Sequence, residues 1–174
     1  ADPRVVHLRH PGLAQQRGGH AGQVGAAPGP QPVAVGRERV VERSRNFYGT
    51  LEVLEPTFDA SREPHRLLVH GATTHGLQLL SPGRTRTATT YYATSSGVGR
   101  AIDSFDDGDG WMQPRRLGLV GLGVGTIAAY ARGGDSLCIY EINPAIRDLA
   151  DRQFTFLGEC GADVEVVMGD ARLS

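Results

Sequence analysis

Lysine is absent. All 18 basic residues are Arg, against 19 Asp and Glu, and the net charge is −1. The all-Arg usage reads as a coding bias, and near-neutrality gives a nucleic-acid partner no electrostatic support. Two cysteines, Cys138 and Cys160, are too few for a disulfide framework or a zinc ribbon. No apolar run reaches the roughly 18 residues needed to span a bilayer, and no signal peptide opens the chain. The first residue is Ala rather than Met, which reads as a processed or partial chain. Against these shortages stand 174 residues, 40% apolar and 21% charged, enough for one self-sufficient core. Glycine is in excess: 24 residues, about twice the usual share of roughly 7%.

That excess is uneven. Residues 1–36 hold seven Gly and five Pro and lack hydrophobic periodicity. Such a segment cannot offset its ordering entropy by burial, so it is expected to be a disordered tail or linker. Residues 37–95 are expected to form a small antiparallel sheet of two to four strands. The alternation over residues 47–54 marks one strand and residues 65–70 a second, closed by Gly71. Residues 76–80 continue it after a bulge. A helix starts near Ser96, with Val98, Ile102 and Phe105 on one face. The acidic turn at residues 106–110 lacks the Glu of a calcium loop and reads as solvated.

Residues 96–174 read as a β-α-β-α-β run, the mark of a parallel α/β sheet. Residues 117–120 and 137–140 look like strands covered on both faces, and residues 164–168 like a third strand. A helix follows the glycine turn through residues 126–131, and Pro144 suits the first turn of another that runs to about Phe156.

Chemistry concentrates at the ends of these strands. Gly121, Gly123 and Gly125 form a G-x-G-x-G turn that lets backbone approach a ligand at a helix start. Thr at position 126 breaks the dinucleotide pattern G-x-G-x-x-G, so NAD is disfavoured. Glu141, at the end of the second strand, can accept from a ribose 2′,3′-diol. Asp170, after the third strand, can accept from the exocyclic amine of adenine. Three such strand ends suit an adenosine-containing ligand.

The glycine turn with Glu141 and Asp170 is joined by further short motifs in order. These are residues 45–49 (RNFYG), 70–78 (HGATTHGLQ), 89–92 (TTYY), 96–99 (SGVG), 140–144 (YEINP) and 169–172 (GDAR). Together they resemble the spermidine synthase family on the methyltransferase-like fold, over residues 40–174. The closest likeness is to bacterial spermidine synthase-like domains fused behind a membrane transporter-like region.

The resemblance implies a small N-terminal antiparallel sheet and a Rossmann-like parallel sheet, truncated after its third strand. It implies decarboxylated S-adenosylmethionine or S-adenosylmethionine as co-substrate, no metal, and aminopropyl transfer to a small amine. Gly121, Gly123, Gly125, Glu141 and Asp170 would hold the nucleoside, while Gln78 and Tyr92 would face the ligands. The location implied is cytoplasmic, as a domain behind an upstream membrane region. Two family carboxylates are missing, at Val69-His70-Gly71 and Tyr91-Tyr92-Ala93, and the catalytic acid is expected beyond Ser174. No catalytic residue is therefore assigned, and this chain alone is expected to be inactive. The alternatives are a methyltransferase or a non-catalytic adenosyl-ligand sensor. An unpaired apolar edge strand predicts aggregation or a homodimer.

Other candidates carry less. His65, His70 and His75 recur every five residues, which matches no single face, so they do not form a metal trio; His70 and His75 line the mouth or satisfy turn backbone. Cys138 reads as core, and Cys160 as an inert loop thiol. Trp111 and the Tyr91-Tyr92 pair would stack on a base or pack between subdomains.

Overall fold

The computed structural model describes residues 5–9, 38–57, 63–106 and 113–173. Residues 107–110 of the acidic turn, Trp111, and residues 1–4 and 10–36 of the expected tail lie outside the described residues.

Two four-stranded sheets make a mixed α/β arrangement. The first is antiparallel, in the order β2 (Glu38–Asn46), β3 (Gly49–Pro56), β4 (His65–His70), β5 (Thr73–Leu79). The strand expected from Phe47 starts two residues later, because Phe47 and Tyr48 form the β2–β3 hairpin turn, where Phe47 is fully in solvent. Residues 76–80 do not extend β4. Gly71 (φ +59°) turns the chain back, and they run antiparallel beside it as β5. A bulge at His75, opposite Leu68 and Val69, shifts the β4–β5 register.

The second sheet is parallel, in the order β1 (Val5–Arg9), β6 (Arg116–Val120), β7 (Ser136–Glu141), β8 (Asp163–Met168). Three of its strands come from the expected β-α-β run. The fourth corrects two expectations: residues 5–9 belong to a strand rather than a tail, and the parallel sheet does not stop at three strands. The sequence Val-Val-His-Leu-Arg has the β-branched and alternating character of a strand. It pairs with β6 from Val5↔Arg116 to Arg9↔Val120, while β8, at the other edge, pairs on one side only among the described residues.

Helices are few. α1 (Gly97–Asp103) is capped by Ser96, whose Oγ accepts from the Gly99 N–H at 3.1 Å. α2 (Pro144–Gln153) has Pro144 in its first turn and Asn143 as cap, with Oδ1 accepting from the Ala145 N–H at 3.1 Å. It ends at Gln153, earlier than expected. Thr126–Tyr130 forms a 3-10 helix rather than an α-helix. One core serves both sheets: Leu51, Val53 and Leu68 join Leu117, Leu119, Leu137, Ile139, Leu149 and Phe156 in a single cluster.

The expectation of strands covered on both faces is corrected as well. Register places Leu117, Leu137 and Val164 in one row and Leu119, Ile139 and Val166 in another, and these rows point into the core. The alternate rows, Gly118-Cys138-Glu165 and Val120-Tyr140-Val167, are exposed or half-buried.

Candidate strand-end site

Glu141 is the hub of the carboxyl rim of the parallel sheet. The last residue of β7, it points to the core side and is buried. Its Oε2 accepts from the Leu122 N–H at 2.9 Å, inside the glycine turn, and its Oε1 from the Asn143 N–H at 2.8 Å. Its backbone carbonyl accepts from the Gly169 N–H at 2.8 Å, and the neighbouring Tyr140 carbonyl from the Gly121 N–H at 2.8 Å. The ends of β6, β7 and β8, each carrying one of the sequence motifs, are thus stitched together. Among the described residues no cation pairs with Glu141. Each carboxylate oxygen has a second lone pair for which the described residues show no donor.

The glycines have structural reasons of their own. Gly121, Gly123 and Gly125 have φ of +94°, +56° and +83°, where side chains are strained. A Cβ on Gly123 would stand 2.8 Å from the His75 carbonyl, and one on Gly76 would stand 2.4 Å from Val124 Cγ2. Strand β5 therefore lies directly on the glycine turn, and the His75 bulge brings it there. The same His75 carbonyl accepts from the Tyr91 hydroxyl at 3.1 Å.

Asp170 follows Gly169 and folds onto Arg172, taking the backbone N–H at 3.0 Å and the guanidinium through both oxygens. The hydrogen-bonded guanidinium holds its carboxyl down at about 2.

Gln78 and Tyr92 are placed inside the protein. Gln78 is wholly buried; its Nε2 donates to the Thr85 carbonyl (3.0 Å) and Thr155 Oγ1 (2.8 Å), and its Oε1 accepts from the Thr155 N–H (3.1 Å). It clamps β5 to the segment after α2, which corrects the expectation that it faces a ligand. Tyr92 is buried beside Tyr91, with ring centroids 4.5 Å apart. Its carbonyl accepts from the Tyr130 hydroxyl, so this pair packs between the two sheets. Burial pushes the Tyr92 phenol up to about 12 and that of Tyr91 higher still.

His70 satisfies turn backbone: its Nε2 lies 2.7 Å from the Tyr48 carbonyl, and its ring stands 5.4 Å from that of His75. His65 Nδ1 meets the Glu63 carbonyl at 2.8 Å. Among the described residues no cluster of His, Cys, Asp or Glu has the arrangement of a metal site.

Two residues at this rim, Asn143 and Thr126, had no binding role assigned from sequence. Asn143 caps α2, donates its N–H to Glu141, and accepts from Asn46 Nδ2 at 2.6 Å across to the antiparallel sheet. Its own Nδ2 is buried without a partner among the described residues, as is Thr126 Oγ1 just after the glycine turn. Buried orphan polar atoms are uncommon, and two flank the turns that Glu141 joins. The Asn-Pro pair before a helix was the available signal for the cap; the reach to Asn46 has none in sequence.

No family model, curated protein or solved structure matches the chain.

Proposed function

We propose that the carboxyl rim of the parallel sheet binds an adenosine-containing ligand, and that the chain carries the nucleoside-binding part of a spermidine synthase-like transferase on a Rossmann-like frame. The observation that carries this reading is Glu141, a buried carboxylate with no cation among the described residues and one lone pair on each oxygen left without a described donor, at the end of the central motif strand. A ribose 2′,3′-diol supplies two donors. The orphan Thr126 Oγ1 and Asn143 Nδ2 add support for a polar occupant beside it. Asp170 meets the adenine amine once it turns from Arg172. Decarboxylated S-adenosylmethionine supplies the electrophilic methylene carbon next to its sulfonium. This chain's residues bind and orient the nucleoside.

A second reading, nucleoside binding without transfer, is favoured by one observation. Gln78 is spent entirely on protein groups and so leaves no side chain for an amine acceptor there.

Calorimetry with methylthioadenosine and NAD tests the nucleoside site, using the full chain and Glu141→Gln. Methylthioadenosine should bind more tightly than NAD and lose about tenfold or more in the variant, one or more charge-assisted hydrogen bonds being removed. Equal binding by a variant that still melts cooperatively, or preference for NAD, sinks the assignment. An Asp170→Asn variant, altered at a half-exposed side chain, should lose affinity for adenosine more than for ribose 5-phosphate.

A further inference from the structure

Strand β8 offers a row of backbone groups that the nucleoside site leaves unused. The Asp163 N–H donates to the Asp135 carbonyl at 2.9 Å and the Gly169 N–H to the Glu141 carbonyl at 2.8 Å. Alternate residues of a parallel strand bond to the same neighbour, so Asp163, Glu165, Val167 and Gly169 turn their backbone groups toward β7. Those of Val164, Val166 and Met168 point away from the sheet and have no partner among the described residues.

Outer strands are usually blunted against pairing by bulges, charge, Pro or a covering segment. β2 has a register shift between Val40 and Glu42 and is dense in charge. β5 has its bulge at His75 and lies against the glycine turn. β8 has none of these devices. It keeps unbroken register with β7 from Asp163 to Met168 and contains no Pro. Its two charges, Asp163 and Glu165, stand on the outer side of the sheet. Val164, Val166 and Met168 share the core side, and Met168 is 44% exposed there.

We infer that β8 pairs antiparallel with β8 of a second copy, about a two-fold axis through Val166 and perpendicular to the sheet. Val166 then bonds to its own counterpart, and Val164 of each copy exchanges both backbone bonds with Met168 of the other. The two sheets become one, both cores stay on the same side, and the apolar row runs on across the seam. On the outer side Glu165 lies opposite Val167 and Asp163 opposite Gly169, so no like charges face each other. Neighbouring axes do worse. One through Glu165 sets that carboxylate against itself, and one through Val164 sets Asp163 against Glu165. One through Val167 leaves Val164 opposite Asp170, past the end of the strand. An axis between residues would set core-side residues against outer ones. The self-complementary register is what selects a second copy of this chain as the occupant.

A seam about 20 Å long and one sheet thick hides far less than the about 800 Å² per partner of a standard interface. The dimer is therefore expected to be weak and concentration-dependent.

Sedimentation of the full chain across a range of concentrations reads this directly. Dimer should grow with concentration. Val166→Pro removes an outward N–H and none from the β7 ladder, so it should abolish the dimer while circular dichroism stays unchanged. Val167→Glu, which faces Glu165 of the second copy, should raise the dissociation constant about threefold or more, and Val167→Lys should lower it by a similar factor. The register itself is read by disulfide trapping in a Cys138→Ser, Cys160→Ser background. Glu165→Cys chains mixed with Val167→Cys chains should oxidise to a covalent dimer, their Cα atoms being about 4.5 Å apart. Neither variant alone should do so, because like positions then lie about 8 Å apart on the diagonal. A chain monomeric at every concentration overturns the inference. So does a dimer that a folded Val166→Pro variant retains, one indifferent to the sign of charge at position 167, or one that the mixed cysteine chains do not trap. Should Val166→Pro fail to fold, the charge and cysteine variants, altered at exposed or half-buried outer side chains, decide alone.

Discussion

Two buried carboxylates bracket strand β7, and their surroundings differ in one respect. Asp135, just before the strand, accepts from the backbone N–H groups of Arg115 (2.8 Å) and Arg132 (2.9 Å) and from the Arg115 guanidinium (2.6 Å). Glu141, at the far end, likewise accepts from two backbone N–H groups but has no cation among the described residues. Burial alone would raise the Asp135 carboxyl; the Arg115 side chain and the two backbone donors outweigh it and hold the pKa below the usual range. Asp135 is thus closed: its charge is neutralised, and it ties the loop before β6 to the loop before β7. Glu141 is open, with donors enough to hold it in place and too few to use it up. A buried carboxylate with a partner cation builds the fold; one held by backbone alone can also receive a ligand.

The contrast breaks most visibly at Asp135. Asp135→Asn removes the carboxylate that pairs with the Arg115 guanidinium, itself 10% exposed, and urea unfolding should register a loss of about 3–5 kcal/mol. The pH dependence follows from the depressed pKa. The Asp135 contribution is present above an unfolded value of about 4 and fades as pH falls through the lower folded value. Wild type should therefore lose stability on acidification below about pH 4 by more than Asp135→Asn does. Glu141→Gln comes next, with an expected loss of about 1–3 kcal/mol, because an amide can satisfy only one of the two donors. Its effect on nucleoside affinity should exceed that of Asp135→Asn, and a reversed order would erase the distinction between the two ends. The smallest effect sharpens the open end: Arg172→Ala should let the Asp170 carboxyl rise from about 2 toward the ordinary range, as an NMR titration would follow, with no change in melting temperature.

Much of this frame was legible in the sequence, for local reasons. Gly, Pro and Asn punctuate the segment after residue 116, and each mark sits where the chain turns: the three glycines, the Asn143-Pro144 cap and Gly169. The one-sided cover of the sheet was not legible. Leu-Gly-Leu-Val hides its alternation, because Gly118 carries no side chain to read as polar, and Cys138 and Tyr140 pass for core. Strand β2 was missed because Glu38–Asn46 is rich in charge. Two of its three arginines are set beside carboxylates of β3, Arg39 with Glu55 and Arg43 with Glu52, which no local pattern announces. Gln78 was misassigned for a related reason. Its partner Thr155 lies 77 residues away, and a lone Gln in a strand does not tell whether it faces a ligand or a loop.

The pairing of β1 with β6 has a consequence in time. Val5 meets Arg116, so β1 waits for β6, more than a hundred residues further along the chain. At about 5–20 residues per second, a ribosome takes several seconds to some twenty to add the intervening chain. Strands β2 to β5 pair only with near neighbours and can close during that delay. The parallel sheet is thereby assembled around a strand that is already long made: β1, synthesised before β2 to β5, closes after them.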